Sequence, residues 1–115
     1  MEHDKPLATY LRMHRLETGF SHGDVAFLLG AMYGSNVCAH ERGRRIPGLR
    51  TILAYEIILG VPARDLYEGV FHEVRAQVLE RARGLSTHLK RKTTATHRNQ
   101  KIARLRSMLE ELQLA

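Results

Sequence analysis

The chain of 115 residues has one cysteine, no tryptophan and only three prolines. A single cysteine cannot form an internal disulfide, so a disulfide scaffold is excluded and a reducing compartment such as the cytoplasm is expected. No apolar run exceeds five residues, which is far too short to cross a membrane. The first residues also lack the basic-then-apolar pattern of a secretory signal. We therefore expect no membrane partner.

Sequence motifs of catalysis and metal binding are missing as well. The seven histidines are scattered, and no pair of them has the Cys/His spacing of a zinc site. There is no glycine-rich phosphate loop, no nucleophile elbow and no pair of catalytic carboxylates. We therefore predict that the protein is not an enzyme and that it needs neither a metal nor another cofactor.

Positive charge is concentrated in the C-terminal part of the chain. Residues 1–71 carry eight Lys/Arg and eight Asp/Glu, whereas residues 72–115 carry ten and four, so the whole net charge of +6 lies there. No acid occurs between Glu80 and Glu110. That stretch contains Arg81, Arg83, Lys90, Arg91, Lys92, Arg98, Lys101, Arg104 and Arg106. Such a zone is typical of a phosphate-binding surface, although a solvated helix face explains it equally well.

Hydrophobic spacing and glycine positions predict an all-α domain over residues 1–69. The predicted helices cover residues 6–18, 22–29, 35–42, 49–59 and 63–67. Ser21 is expected to cap the second helix, with Asp24 in a capping-box position. The buried stripe of the second helix is predicted to be Val25, Leu28 and Leu29. Ser35 is expected to cap the third helix.

From residue 70 the pattern predicts a basic helical extension, residues 70–115. Its first apolar stripe is Val70, Val74, Val78, Ala82, Leu85 and Leu89. Its second stripe is Ile102, Leu105, Leu109 and Leu112. The second stripe has the 3-4-3 spacing of a coiled-coil seam, but over less than two heptads. It suits a dimerising helix and equally a helix that folds back on its own domain.

Many positions between residues 7 and 67 agree in register with one known pattern. They are Gly19-Phe20-Ser21-His22, Asp24-Val25-Ala26, Leu28-Leu29-Gly30, Val37, Glu41-Arg42-Gly43-Arg44-Arg45-Ile46-Pro47, Leu49, Thr51, Leu53, Leu59-Gly60-Val61 and Asp65-Leu66-Tyr67. With them the segment resembles the lambda-repressor-like helix-turn-helix family, also called the Cro/repressor or xenobiotic-response-element family. It departs from that family at His22, where glutamine is usual, at Ala39 and His40, and in a turn one residue longer before the third helix.

The resemblance implies a sequence-specific, repressor-like transcriptional regulator that binds double-stranded DNA as a homodimer. Such a protein is expected in the cytoplasm, at the nucleoid of a bacterium or in a phage system. Residues 35–42 would be the recognition helix, because a helix fits the major groove, where each base pair has its own donor and acceptor pattern.

Individual roles follow from the chemistry of the side chains. Ser35, Asn36 and Ala39 are expected to face outward, and the Asn36 amide either contacts adenine or supports the turn. The inner anchor would be Val37, with His40 and Glu41. Phosphate contacts are expected from Arg42, Arg44, Arg45 and Arg50, and from the helix start at Ser21 and His22. Tyr33 either fills the core or lies on the DNA backbone. Glu41 is expected to pair with a nearby arginine.

Two other functions remain open at this point. The domain could be a protein-interaction module or an antitoxin whose basic C-terminal helices bind a partner protein, because the fold alone does not determine function. It could also be a nonspecific nucleic-acid binder driven by the basic extension. For dimerisation the candidate residues are those of the second apolar stripe.

Overall fold

The computed structural model describes residues 8–31, 33–91 and 96–113. Within these ranges the chain forms seven helices and no strand, which confirms the all-α prediction. The helices are α1 (Leu11–Thr18), α2 (His22–Leu29), α3 (Gly34–Glu41), α4 (Leu49–Leu59), α5 (Ala63–Leu66), α6 (Glu68–Arg91) and α7 (Arg98–Gln113). None of these helices has the length and apolar character needed to cross a membrane.

The chain divides into two compact units, Met1–Phe71 and His72–Ala115, which we call unit 1 and unit 2. The division lies two residues after the boundary predicted at 69. It falls within α6, whose first turn belongs to unit 1.

Several predicted helix boundaries are correct. The α4 helix spans the predicted residues and ends at Gly60, where φ is +69°. Glycine favours this left-handed end because any Cβ would be strained there. The α2 helix likewise ends at Gly30.

Four predicted boundaries are wrong, and one of them is the end of α3, which lies at Glu41 rather than at residue 42. The first helix begins at Leu11 rather than at residue 6, and residues 6–7 lie outside the described ranges. The hydroxyl of Thr9 accepts a hydrogen bond from the Leu11 amide at 3.1 Å, which fixes this start. Residue Tyr33, not Ser35, occupies the N-cap position of α3, and Ser35 lies inside the helix. The short α5 helix ends one residue before the predicted Tyr67.

The core of unit 1 draws on α1 to α5 and on the residue that follows α5. Its buried members are Leu11, Val25, Ala26, Val37, Tyr55, Leu59, Leu66 and Tyr67. The predicted stripe of α2 was partly wrong, because Leu28 is half exposed and Ala26 is buried instead. At about 100° per residue, Val25, Leu29 and Ala26 share one arc of the helix and Leu28 lies outside it.

Unit 2 has a small core of its own. Ala82 and Leu89 of α6 are buried together with Leu105 of α7. The predicted first stripe is wrong in part: the exposed members are Val74, Val78 and Leu85. Ala82 and Leu89 lie on the face of α6 that packs against the apolar residues of α7.

Candidate nucleic-acid interface

The start of α2 is fixed by a reciprocal cap. The Ser21 hydroxyl accepts from the Asp24 amide at 3.0 Å, and an Asp24 carboxylate oxygen accepts from the Ser21 amide at 3.0 Å. This confirms the predicted capping box, and the hydrogen bonds from Ser21 lower the pKa of Asp24. The cap places a carboxylate at this helix end and leaves the amides of His22 and Gly23 as its remaining donors.

The starts of α2 and α3 lie against each other. A Cβ added at Gly34 would come within 3.1 Å of the His22 Cβ and 3.3 Å of the His22 carbonyl carbon. A side chain at this position would push the two helices apart, so glycine permits their close approach. The backbone amides at both helix starts are therefore brought to one place on the unit.

The inner side of α3 is anchored at two successive turns. Val37 is completely buried in the core of unit 1. One turn later, Nδ1 of His40 lies 2.8 Å from the Tyr55 hydroxyl, and the two rings meet edge to face at 5.7 Å. Burial, together with the charge of Arg45, lowers the pKa of His40, so its imidazole is neutral at pH 7. The predicted anchoring roles of Val37 and His40 agree with these contacts.

A buried ion pair anchors the end of α3. Nε of Arg15 donates to Oε2 of Glu41 at 2.5 Å, and Nη2 donates to Oε1 at 3.2 Å. Nε2 of His22 lies 3.0 Å from the same Oε1, and Nη1 of Arg15 donates to the Phe20 carbonyl at 2.9 Å. Arg15 is only 7% exposed, and the Glu41 side chain only 4%. This cluster joins α1, α2 and α3.

The electrostatics of the cluster favour its charged form. Burial raises the pKa of Glu41, but the hydrogen bonds from Arg15 and His22 outweigh burial and leave the pKa below its ordinary value. The hydrogen bond to Glu41 in turn raises the pKa of Arg15 against the effect of burial. The sequence predicted an arginine partner for Glu41 but did not indicate that it is Arg15. The available signal was its position four residues after Leu11, on the buried face of α1.

The residues expected to face outward from α3 differ in exposure, and one of them is hydrogen-bonded within the chain. Ser35 is exposed, whereas Asn36 and Ala39 are half-buried. The Asn36 amide oxygen accepts a long hydrogen bond of 3.4 Å from Nη1 of Arg45. Asn36 and Arg45 both line an open cavity of about 400 Å³, together with Leu29, Gly30, Ala31, His40, Ile46, Pro47, Gly48 and Thr51. The Asn36 amide therefore reaches open space beside an arginine, as a base-contacting group requires.

The loop after α3 displays the arginine cluster. Gly43 has a φ of +72°, which reverses the chain, and the amides of Arg44 and Arg45 both donate to the Ala39 carbonyl at 3.0 and 3.4 Å. This arrangement fixes the backbone from which the two side chains extend. All four members of the cluster are exposed: Arg42, Arg44, Arg45 and Arg50, the last in the first turn of α4.

The structure excludes one of the two roles expected of Tyr33 and gives the His22 side chain a partner within the chain. Tyr33 is 64% exposed in the turn between α2 and α3, so it does not fill the core. Phosphate contacts were expected at the helix start of Ser21 and His22, and there the His22 imidazole is bonded through Nε2 to Glu41. Its side chain remains partly exposed, so this bond and a backbone contact to phosphate are compatible.

The candidate dimerisation residues whose side chains the structure describes belong to the core of unit 2 or pack against it. Leu105 is buried, and Ile102 and Leu109 pack with it against α6. Of the two roles considered for this stripe, the folded-back helix is therefore the one observed in the chain. The side chain of Leu112 lies outside the described residues.

Comparisons with protein-family models, with curated proteins and with solved structures find no match to this chain. Among the residues that the structure describes, no group of three or more His, Cys, Asp and Glu side chains is placed to hold a metal ion. The feature of unit 1 that indicates a function is α3 with its arginine loop.

Proposed function

We propose that unit 1 is a lambda-repressor-like helix-turn-helix domain and that the protein is a sequence-specific, repressor-like regulator of transcription. The observation that carries the proposal is the two-sided character of α3. Its inner side is held by Val37, His40 and Glu41, while Asn36 borders open space and exposed arginines follow directly. A recognition helix needs this combination, because it must be rigid on one side and accessible on the other.

In the proposed complex α3 lies in the major groove of duplex DNA. The Asn36 amide contacts an adenine in two places, which gives about 1–3 kcal/mol of discrimination against other bases. When DNA binds, Arg45 gives up its long hydrogen bond to Asn36 and contacts a phosphate instead. Ser35 donates a further hydrogen bond, and Ala39 contacts a thymine methyl group.

The remaining contacts hold the phosphate backbone without reading sequence. The guanidinium groups of Arg42, Arg44, Arg45 and Arg50 supply charge, since all four are exposed. The amides of His22 and Gly23, next to the start of α3, supply neutral donors, and the exposed side chain of Tyr33 adds a hydroxyl.

Specific operators of this type require two copies of the domain, with half-sites about 34 Å apart. A homodimer is therefore part of the proposal. Because Ile102, Leu105 and Leu109 pack within unit 2, a dimer through α7 would pair two-helix units rather than single helices.

One observation favours a protein-interaction module, although at α4 and not at the basic C-terminal helices of the alternative given above. Leu49, Leu53 and Ile57 recur every four residues along α4, and they are 73%, 48% and 81% exposed. They form an apolar stripe opposite the buried Tyr55 and Leu59, and such stripes mark contact surfaces. A partner protein bound there would not depend on the arginine loop.

The test is the double variant Arg44→Ala/Arg45→Ala, measured by fluorescence anisotropy on duplex DNA across a salt series. If each arginine neutralises one phosphate, the slope of log affinity against log salt becomes shallower by roughly 1.8. The variant should fold normally, because both side chains are exposed.

The matched control is Arg12→Ala/Arg64→Ala, which removes the same charge from exposed positions on α1 and α5. The proposal expects the control to bind as the parent protein does. An equal loss of DNA affinity in both variants would mean that binding depends only on the net charge of the protein. That result would contradict a defined interface at the arginine loop. Unchanged DNA binding in the arginine-loop variant would support the interaction module instead.

A further inference from the structure

The basic charges of unit 2 lie on a packed scaffold. The second half of α6 and α7 are held together by Ala82, Leu89 and Leu105. In addition, Nε of Arg98 donates to the Leu89 carbonyl at 3.0 Å, which ties the start of α7 to the end of α6. The cations of the two helices therefore have defined positions relative to each other.

Few of these cations are paired with a carboxylate among the residues that the structure describes. Two ion pairs occur among the described residues between Glu80 and Glu111: Arg83 with Glu80 at 3.8 Å and Arg104 with Glu111 at 3.9 Å. Both pairs are long and exposed, so they are weak. In the part of unit 2 that the structure describes, no carboxylate forms an ion pair with the other exposed cations. These are Arg81, Lys90, Arg91, Lys101 and Arg106.

Two of these cations, one from each helix, meet at the same cavity. Lys90 of α6 and Arg106 of α7 line an open cavity of about 300 Å³, and Ser86 lines it too. Glu110 also borders the cavity but forms an ion pair with neither cation. Two cations and one carboxylate give the lining a net charge of +1, and this charge favours an anion in the cavity. A phosphate group matches two cations and a hydroxyl donor.

The composition of unit 2 indicates which phosphate-bearing partner it fits. Residues 72–115 contain no phenylalanine, tyrosine or tryptophan. Single-stranded nucleic acid is bound by stacking bases on aromatic side chains, and protein interfaces are enriched in them as well. The duplex backbone needs neither, because it offers one negative charge per about 1.7 Å of its axis to any suitably placed cation.

We infer that unit 2 is a second DNA-contacting surface, which binds the phosphate backbone of duplex DNA at the cavity between Lys90 and Arg106. This inference rests on the proposed function, since unit 1 would bring the duplex to unit 2. Unit 2 reads no bases and adds sequence-independent affinity to the specificity of α3.

The test compares the full-length protein with Lys90→Gln/Arg106→Gln on two duplexes of about 30 base pairs, one random and one selected for binding. If each cation holds one phosphate, the salt slope becomes shallower by roughly 1.8 on both duplexes, and the ratio of the two affinities stays unchanged. The charge-preserving variant Lys90→Arg/Arg106→Lys keeps the slope of the parent. The variant Arg12→Gln/Arg64→Gln removes the same charge from unit 1 and is the matched control.

The outcomes separate this inference from the proposed function. A slope unchanged in Lys90→Gln/Arg106→Gln, with binding lost in Arg44→Ala/Arg45→Ala, overturns the second surface and leaves α3 as the interface. That result would favour an acidic protein as the partner of unit 2. A shallower slope in Lys90→Gln/Arg106→Gln, with binding unchanged in Arg44→Ala/Arg45→Ala, supports the second surface. It contradicts the proposal that the protein is a sequence-specific regulator. If Lys90→Gln/Arg106→Gln changes the ratio of the affinities for the selected and the random duplex, unit 2 reads sequence. That result contradicts the inference.

Discussion

Replacing Glu41 with alanine is expected to lower the free energy of unfolding by about 3–5 kcal/mol. The change leaves the Arg15 guanidinium buried without its carboxylate, and it removes the bond that joins α3 to His22. Breaking a buried pair from one side costs this much because the remaining charge has lost both its water and its partner. Chemical denaturation at pH 7 measures the loss.

The matched control is Glu17→Ala, which removes an exposed carboxylate from α1 that lies 3.4 Å from His14. Its effect should stay within about 0.5 kcal/mol. A similar loss in both variants would show that the Glu41 cluster contributes no more than a surface pair.

The pH dependence of the Glu41 effect has a defined sign. The folded protein holds the pKa of Glu41 below its ordinary value of 4.5, so its stabilising contribution is fully present above pH 4.5. It is lost as the pH falls through the lowered pKa. The difference in stability between the parent and Glu41→Ala should therefore be constant near neutrality and shrink in acid.

The second large effect is expected at the short helix α5. Leu66 has no exposed surface, and Leu66→Ala should lower the free energy of unfolding by about 2–5 kcal/mol through a cavity in the core. The Leu66 carbonyl, which accepts the Tyr10 amide at 2.9 Å in the parent, is retained in this variant, so we expect the loss to report the packing of the side chain. Leu16→Ala, at a half-exposed position on α1, is the control and should cost less than about 1 kcal/mol. An equal loss of unfolding free energy in Leu66→Ala and Leu16→Ala would mean that α5 is not part of the core.

Local signals in the sequence predicted the helices of unit 1 well. The capping box of Ser21 and Asp24 and the glycine after α4 depend on neighbouring residues, so their patterns are visible without the fold. The extent of α4 followed from its apolar spacing. The arginine loop was also visible, because four cations lie within nine residues of the sequence.

Contacts between distant parts of the chain were not predictable in this way. Arg15 and Glu41 are 26 residues apart, and periodicity does not say which charged residues will meet. The close approach of Gly34 to His22 depends on how α2 and α3 cross. In α6 the apolar spacing marked a stripe, but the packing of α7 against Ala82 and Leu89 decided which face was buried.

The most direct test of the central claim, that α3 reads duplex sequence, is selection from a pool of random duplexes. The full chain would be incubated with the pool at about 150 mM salt, where nonspecific binding is weakened, and the bound fraction sequenced. If α3 reads sequence, we expect an enriched inverted repeat of fixed spacing, with adenine preferred at the position that Asn36→Ala relaxes. A bound fraction with the same sequence composition as the starting pool would contradict it.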